Sequence, residues 1–151
     1  MERIEGCFAF LLGKAYQHIN QQARQRLAPH GVTPAQYWLL EVLWERDEQS
    51  GAELSERLQL DSATMTGLLD RLERAELVVR HPDSADRRVN RVALTAKGRA
   101  LRAPLDQAMD DVNADVVAQL GAEEASRLRA ILTVLGQVTG PTGKMTLGGG
   151  K

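Results

Sequence analysis

Apolar residues recur at helical spacing along most of this chain and alternate with polar ones in a single stretch. Ile4, Phe8, Leu11, Leu12, Ala15 and Ile19 follow at intervals of about one turn, with Leu27 further on. The spacing predicts a long N-terminal helix that stops near Pro29-His30-Gly31. Thr33 before Pro34 reads as an N-cap with proline at the first helical position, opening a helix through Tyr37-Trp38-Leu39-Leu40 to about Arg46. Ser50-Gly-Ala-Glu53 is a capping box, in which the hydroxyl accepts the third backbone N–H and the glutamate reaches back. The helix it starts turns Leu54 and Leu58 inward. Asp61-Ser62 caps the next one, where Met65, Leu68, Leu69 and Leu72 form one stripe. Two short capped helices joined by Gln59-Leu60-Asp61 make a helix-turn-helix.

The pattern then becomes extended. Leu77 to Arg80 reads as a strand and His81 to Asp86 as a polar turn. Beyond it Val89, Arg91 and Ala93 alternate with Asn90, Val92 and Leu94, which makes a two-stranded hairpin, a wing. Thr95 caps a long helix striped by Leu101, Leu105, Met109, Val112, Val116 and Leu120, with a kink expected at Pro104. Gly121 ends it, and a last helix carries Leu128, Leu132, Leu135 and Val138. The predicted fold is mainly α with a small β-hairpin wing: a single domain over 1–138 and a flexible glycine-rich tail over 139–151.

Composition changes this picture little. The chain has 151 residues, 43 % of them hydrophobic and 26 % charged, which fits one globular domain without disulfides or metals. A single cysteine, Cys7, fits a reducing cytosol, and the apolar run from Cys7 to Leu12 is too short for a membrane span or signal core. A cytoplasmic protein without membrane attachment is expected.

Charge changes it more. The net charge is −1, yet between Asp70 and Arg102 nine basic residues face five acidic ones, a local net charge of +4. A basic stripe on a near-neutral chain is a footprint for a polyanion, although a solvated charged face accounts for charge alone equally well. Location favours the polyanion. Opposite the apolar stripe of the second helix-turn-helix helix lie Ala63, Thr66, Gly67, Asp70, Arg71 and Arg74, with Ser62 and Thr64 in the first turn. Small residues allow close approach to a groove, hydroxyls can meet bases or phosphates, and arginines can flank the site. Gly67 in mid-helix lowers stability by about 1 kcal/mol against alanine, so a compensating contact is expected. Asp70 opposes phosphate, and its spacing to Arg74 suggests that it orients that arginine. At the hairpin tip Asp83-Ser84-Ala85-Asp86-Arg87-Arg88 places arginine where it can enter a minor groove, with Asp86 set to splint Arg88, although a solvated turn accounts for the tip alone equally well.

Val32-Thr-Pro-Ala-Gln-Tyr-Trp-Leu-Leu, Leu54-Ser-Glu-Arg-Leu, Leu60-Asp-Ser-Ala-Thr-Met-Thr-Gly-Leu-Leu-Asp-Arg-Leu-Glu and Asp86-Arg-Arg followed by Leu94-Thr-Ala-Lys-Gly resemble the multiple-antibiotic-resistance regulator (MarR) family over about residues 4 to 138. The resemblance implies a sequence-specific double-stranded-DNA-binding regulator, a repressor released by a small aromatic or amphipathic effector. It also implies a winged helix-turn-helix lobe at about 33–94 and a homodimer built from helices within 1–30 and 95–138, seated on a palindromic operator. Ser62, Thr64, Thr66 and Arg71 match recognition-helix positions, and Arg88 matches the wing arginine braced by Asp86. An effector cleft would be lined by Leu11, Lys14, Ala15, His18, Tyr37 and Trp38. There His18 or Lys14 could pair with a carboxylate and Trp38 could stack on a ring, though core packing accounts for Tyr37 and Trp38 somewhat better.

Cys7-Phe8-Ala9-Phe10 looks like the organic-hydroperoxide-sensing branch, so a redox regulator acting through Cys7 is the alternative. Tyr16 does not match the activating tyrosine of that branch, and Pro34 stands where it often has another. No lysine or histidine lies within one helical turn of Cys7, so a small buried residue is the simpler reading. No enzyme is expected: His18, His30 and His81 fall on separate elements without metal-ligand spacing, and no nucleophile elbow, phosphate loop or dinucleotide fingerprint occurs. No cofactor is expected.

Overall fold

A computed structural model describes residues 3–138, so the expected tail over 139–151 lies outside the described residues. The chain divides into two compact units, Met1–Val112 and Asn113–Lys151.

In the first unit a 3-10 turn, Ile4–Gly6, precedes α1 (Phe8–Leu27). Extended backbone at Cys7 separates them, so Ile4 stands on the turn and not on the helix. A second 3-10 turn, Ala28–His30, ends α1 at Gly31. α2 (Pro34–Glu45) starts at the expected cap, where Thr33 Oγ1 accepts from Gln36 N at 3.3 Å and Gln36 Oε1 from Thr33 N at 2.9 Å. Buried Gln49 closes the other end, its amide donating to the carbonyls of Val42 and Arg46.

Strand β1 (Gln49–Ser50) leads into α3 (Gly51–Leu58), whose Ser50–Glu53 capping box forms as expected. The turn passes through Gln59 at φ 53° to α4 (Ser62–Arg74), capped by Asp61 Oδ1 accepting from Thr64 N at 2.8 Å. Met65, Leu68, Leu69 and Leu72 of α4 are all buried.

Strands β2 (Val78–Pro82) and β3 (Asn90–Leu94) form the expected antiparallel hairpin, in register from Val78↔Leu94 to Pro82↔Asn90, but His81 and Pro82 belong to the strand and not to the turn, and Leu77 precedes it. The sheet is nevertheless three-stranded, in the order β1-β3-β2, because Gln49 pairs with Val92 and Ser50 with Arg91. A two-residue strand has no periodicity to read, which is why the sequence suggests only two strands. β2 is left as an outer edge.

The expected long helix after Thr95 is two helices, α5 (Ala96–Ala100) and α6 (Arg102–Leu120), separated at Leu101. Pro104 has no N–H for the Ala100 carbonyl, so the chain breaks one turn before the proline and does not simply kink. The core of the first unit joins Leu27, Leu39, Leu40, Leu43, Leu54, Leu72, Val78, Val92 and Leu105, each 2 % exposed or less. Burying each of these leucines contributes on the order of 2 kcal/mol.

The unit boundary falls within α6. In the second unit Gly121 leads into α7 (Ala122–Leu135), where Ala125 is buried while Ile131, Leu132, Val134 and Leu135 are exposed. Among the described residues no helix is long and apolar enough to cross a membrane.

Candidate nucleic-acid interface

Four elements build the candidate interface: α3, α4 and the two strands of the wing. α4 turns its apolar stripe inward, which forces the opposite face outward. Ser62, Ala63, Thr64, Thr66, Arg71 and Arg74 are exposed there, and Gly67 is half-buried. A Cβ built on Gly67 would meet nothing within 4 Å among the described residues, so their packing does not require the glycine. Between α3 and α4 lies an open groove of about 440 Å³ edged by Gly51, Ala52, Ser55, Ser62 and Thr66 and floored by Met65 and Leu69.

The two threonines differ from the sequence expectation. Thr64 Oγ1 donates to Asp61 Oδ2 at 2.8 Å and Thr66 Oγ1 to Ser62 O at 2.9 Å. With both hydroxyl protons used inside the helix, each side chain is left with a methyl group and acceptor lone pairs for an outside partner.

Asp70 also departs from expectation. It does not orient Arg74. Its Oδ1 accepts from Nη2 of Arg80, on β2, at 2.6 Å. A surface pair one helical turn apart is worth only about 0.5 kcal/mol, whereas the Arg80 fork meets two carboxylates together. Arg71, Arg74 and Arg87, by contrast, are exposed and have no ion-pair partner among the described residues.

The wing tip is pre-formed by two aspartates. Asp83 Oδ1 accepts from the backbone N–H groups of Ala85 at 2.7 Å and Asp86 at 3.0 Å. Asp86 accepts from Arg88 three times at 3.0 Å, from its backbone N, Nε and Nη2, which is the splint expected from the sequence. The Arg88 side chain remains 91 % exposed. Its partner therefore fixes the guanidinium without hiding it. Behind the tip, Arg91 donates to Asp83 Oδ2 at 2.5 Å and to Glu53 Oε2 at 2.8 Å, joining wing to α3.

Sequence reasoning gave no role to Arg80 or Arg91, and named Asp83 only as part of the tip. Asp83 carried a signal, since an aspartate two and three residues before turn N–H groups is a common turn starter. The two arginines did not, because their partners are distant in sequence.

These contacts depress the carboxylates. Arg91, with the backbone N–H groups of Asp86 and Ala85, holds Asp83 down to about 2, and the Ser50 N–H with Arg46 holds Glu53 down to about 2. A depressed acid stabilises the fold above its ordinary range near pH 4 and loses that contribution as pH falls toward 2. Thermal melts should therefore show a steep loss of Tm over that window. Asp83→Asn should lower Tm at neutral pH and flatten the acid limb, and an unchanged acid limb would deny Asp83 this role.

The candidate effector residues fall in different settings. Leu11, Lys14, Ala15 and His18 are exposed on α1. Lys14 Nζ lies 5.6 Å from the Phe10 ring centre, and His18 Nε2 lies 3.2 Å from Gln22 Nε2. Tyr37 packs edge-on to Trp44 with ring centres 6.2 Å apart and donates to Asp106 Oδ1 at 3.2 Å, so core packing holds for it. Trp38, in contrast, is 41 % exposed and does not fill the core as expected. Cys7 is half-buried at the cap of α1.

The family model described as the MarR family matches residues 32–89. The chain is 31 % identical over 100 residues to the organic hydroperoxide resistance transcriptional regulator of Bacillus subtilis (strain 168), covering 66 % of this chain and 68 % of that protein. Over all, the chain spans about half to two thirds of the length of the first curated relatives it matches. Its fold is similar to that of the S. aureus MepR–DNA complex, at TM-score 0.79 and 27 % identity, covering 87 % of this chain and 97 % of that one. It is likewise similar to Bordetella bronchiseptica BpsR, whose DNA binding is regulated by 6-hydroxynicotinic acid, at TM-score 0.84 and 25 % identity, covering 90 % and 97 %.

Proposed function

This chain belongs to the MarR family of transcription regulators, and from that premise we propose that it binds a palindromic duplex operator as a homodimer. Each subunit lays α4 in the major groove and the tip of the wing in the neighbouring minor groove. The observation that carries this reading is the sorting of the arginines. Those inside the lobe are paired with carboxylates, while Arg71, Arg74 and Arg87 point outward without partners among the described residues, beside the splinted Arg88. Exposed cations with no internal partner release counterions on meeting phosphate. Ala63, Gly67 and the methyl groups of Thr64 and Thr66 let base edges come close, including thymine methyls, and the helix start at Ser62 adds a hydroxyl.

Residues 33–94 form the reading lobe. The segments 1–30 and 95–138 supply the dimer contact, to which the exposed apolar side chains of α1 (Phe8, Leu12, Tyr16) and separately of α7 (Ile131, Leu135) lend support. The protein acts as a repressor, released by a small aromatic or amphipathic acid. Exposed Lys14 offers charge and exposed His18 a ring nitrogen for its carboxylate, exposed Trp38 a surface for its ring, and the regulation of BpsR by an aromatic acid supports the same class.

The test is the double substitution Arg71→Ala/Arg88→Ala. Affinity for a duplex that the wild-type chain recovers from a randomised pool should fall at least tenfold. The slope of log affinity against log salt should shrink by about 1 for each phosphate contact removed. Unchanged affinity with an intact fold would reject these contacts.

A further inference from the structure

One residue on the outward face of α4 opposes DNA. Asp70 shares that face with Gly67, Arg71 and Arg74, and an unbalanced carboxylate there repels phosphate. Three residues along, Glu73 adds a second negative charge. Both are met by a single cation from another element. Arg80 of β2 sets Nη2 2.6 Å from Asp70 Oδ1 and 2.6 Å from Glu73 Oε2, with Nε 3.1 Å from the same glutamate oxygen. Its backbone N–H, on the outer edge of the sheet, donates to Glu73 Oε1 at 3.1 Å. The three side chains are 28 %, 39 % and 37 % exposed, so the clamp rests on the geometry of the fork more than on exclusion of solvent. Four hydrogen bonds thus join the reading helix to the first strand of the wing.

That junction matters because a helix in one groove and a ribbon in the next must both be in place at once. A small change of angle between them lets one dock and misplaces the other. The planar guanidinium, with donors in a rigid fork, fixes an angle that a lysine ammonium would leave loose. We propose that Arg80 is a positioning residue for DNA reading, holding α4 and β2 at one mutual angle while drawing the Asp70 carboxylate away from the approaching backbone. This rests on the DNA-binding function proposed above. Arg80 itself touches no phosphate, and that separates it from Arg71 and Arg88.

The experiment compares the full-length wild type with Arg80→Gln, Arg80→Lys, Asp70→Asn and Arg80→Gln/Asp70→Asn. Each is measured against a duplex recovered by the wild type from a randomised pool, with circular dichroism as the check of folding. Arg80→Gln should bind at least tenfold more weakly with the salt slope of the wild type, because no phosphate contact is lost. Arg80→Lys should recover threefold or less. Adding Asp70→Asn to Arg80→Gln should recover threefold or more, since the uncovered carboxylate is then gone, while Asp70→Asn alone should bind at least as tightly as the wild type. Binding by Arg80→Gln within twofold of the wild type, a salt slope reduced by about 1, or no recovery in the double variant would each overturn the proposal. Should Arg80→Gln fail to fold, Glu73→Gln takes its place: a threefold loss of affinity supports the clamp and an unchanged affinity overturns it. A wild type that recovers no duplex overturns the DNA-binding reading instead.

Discussion

Gly98→Ala is expected to destabilise the fold by about 3 kcal/mol or more and to lower Tm by roughly 10 °C. A Cβ at this position would lie 2.1 Å from the Leu77 carbonyl oxygen, 3.1 Å from the Leu77 carbonyl carbon and 3.3 Å from Leu94 Cδ2. The obstacle is backbone, and that backbone is already committed. Leu77 O accepts from the Thr95 N–H at 3.1 Å, and the Thr95 hydroxyl donates to the neighbouring Glu76 O at 2.6 Å, which together hold the start of α5 against the end of α4. The Gly98 carbonyl in turn accepts from Trp44 Nε1 at 3.1 Å, which ties the same point to α2. A shift large enough to admit a methyl group must break part of this junction. Gly13→Ala is the control: it is also in a helix, but its added Cβ would meet nothing within 4 Å, so a gain of up to about 1 kcal/mol is expected. Urea or thermal unfolding distinguishes the two. A Gly98→Ala protein within 1 kcal/mol of the wild type would show that the close approach is not there.

Gly67→Ala is expected to move stability and binding in opposite directions. Its site is as open as that of Gly13 within the chain, so alanine should stabilise α4 by up to about 1 kcal/mol. The same methyl group stands on the face that we assign to the major groove, where it enters the space of a base pair. Affinity for the recovered duplex should therefore fall about tenfold while Tm rises. Equal affinity would mean that nothing approaches this position closely, and the reading of α4 would lose one of its main supports.

The contrast between these glycines marks how far the sequence could be read. Gly67 is visible as an anomaly, because mid-helix glycine conflicts with local propensity. Gly98 is not, since its reason is a carbonyl twenty-one positions away. Local rules served well wherever the partner is local. Thr33, Ser50 and Asp61 cap their helices, the α4 stripe is buried, and Asp86 braces Arg88 two residues on.

They failed where the deciding partner lies far along the chain. Asp70 pairs with Arg80 because folding back the strand brings a fork to two carboxylates, a geometry that helical spacing cannot disclose. The strand Gln49–Ser50 exists only because β3 offers a free edge. Trp38 stays partly open because the first-unit core is filled by leucines and valines around it, and hydropathy alone does not tell an inward from an outward tryptophan. The candidate site was legible as a set of residue types; the ion pairs that orient it were not.

With α4 in a major groove and the wing in a minor one, as we propose, both grooves are shielded on the same duplex. Dimethyl sulfate protection reports both on one duplex, because it methylates guanine N7 in the major groove and adenine N3 in the minor groove. Guanine N7 protection is expected in two patches about one helical turn apart, with adenine N3 protection on their outer flanks. Bound duplex with every guanine N7 still reactive would show that α4 does not enter a major groove.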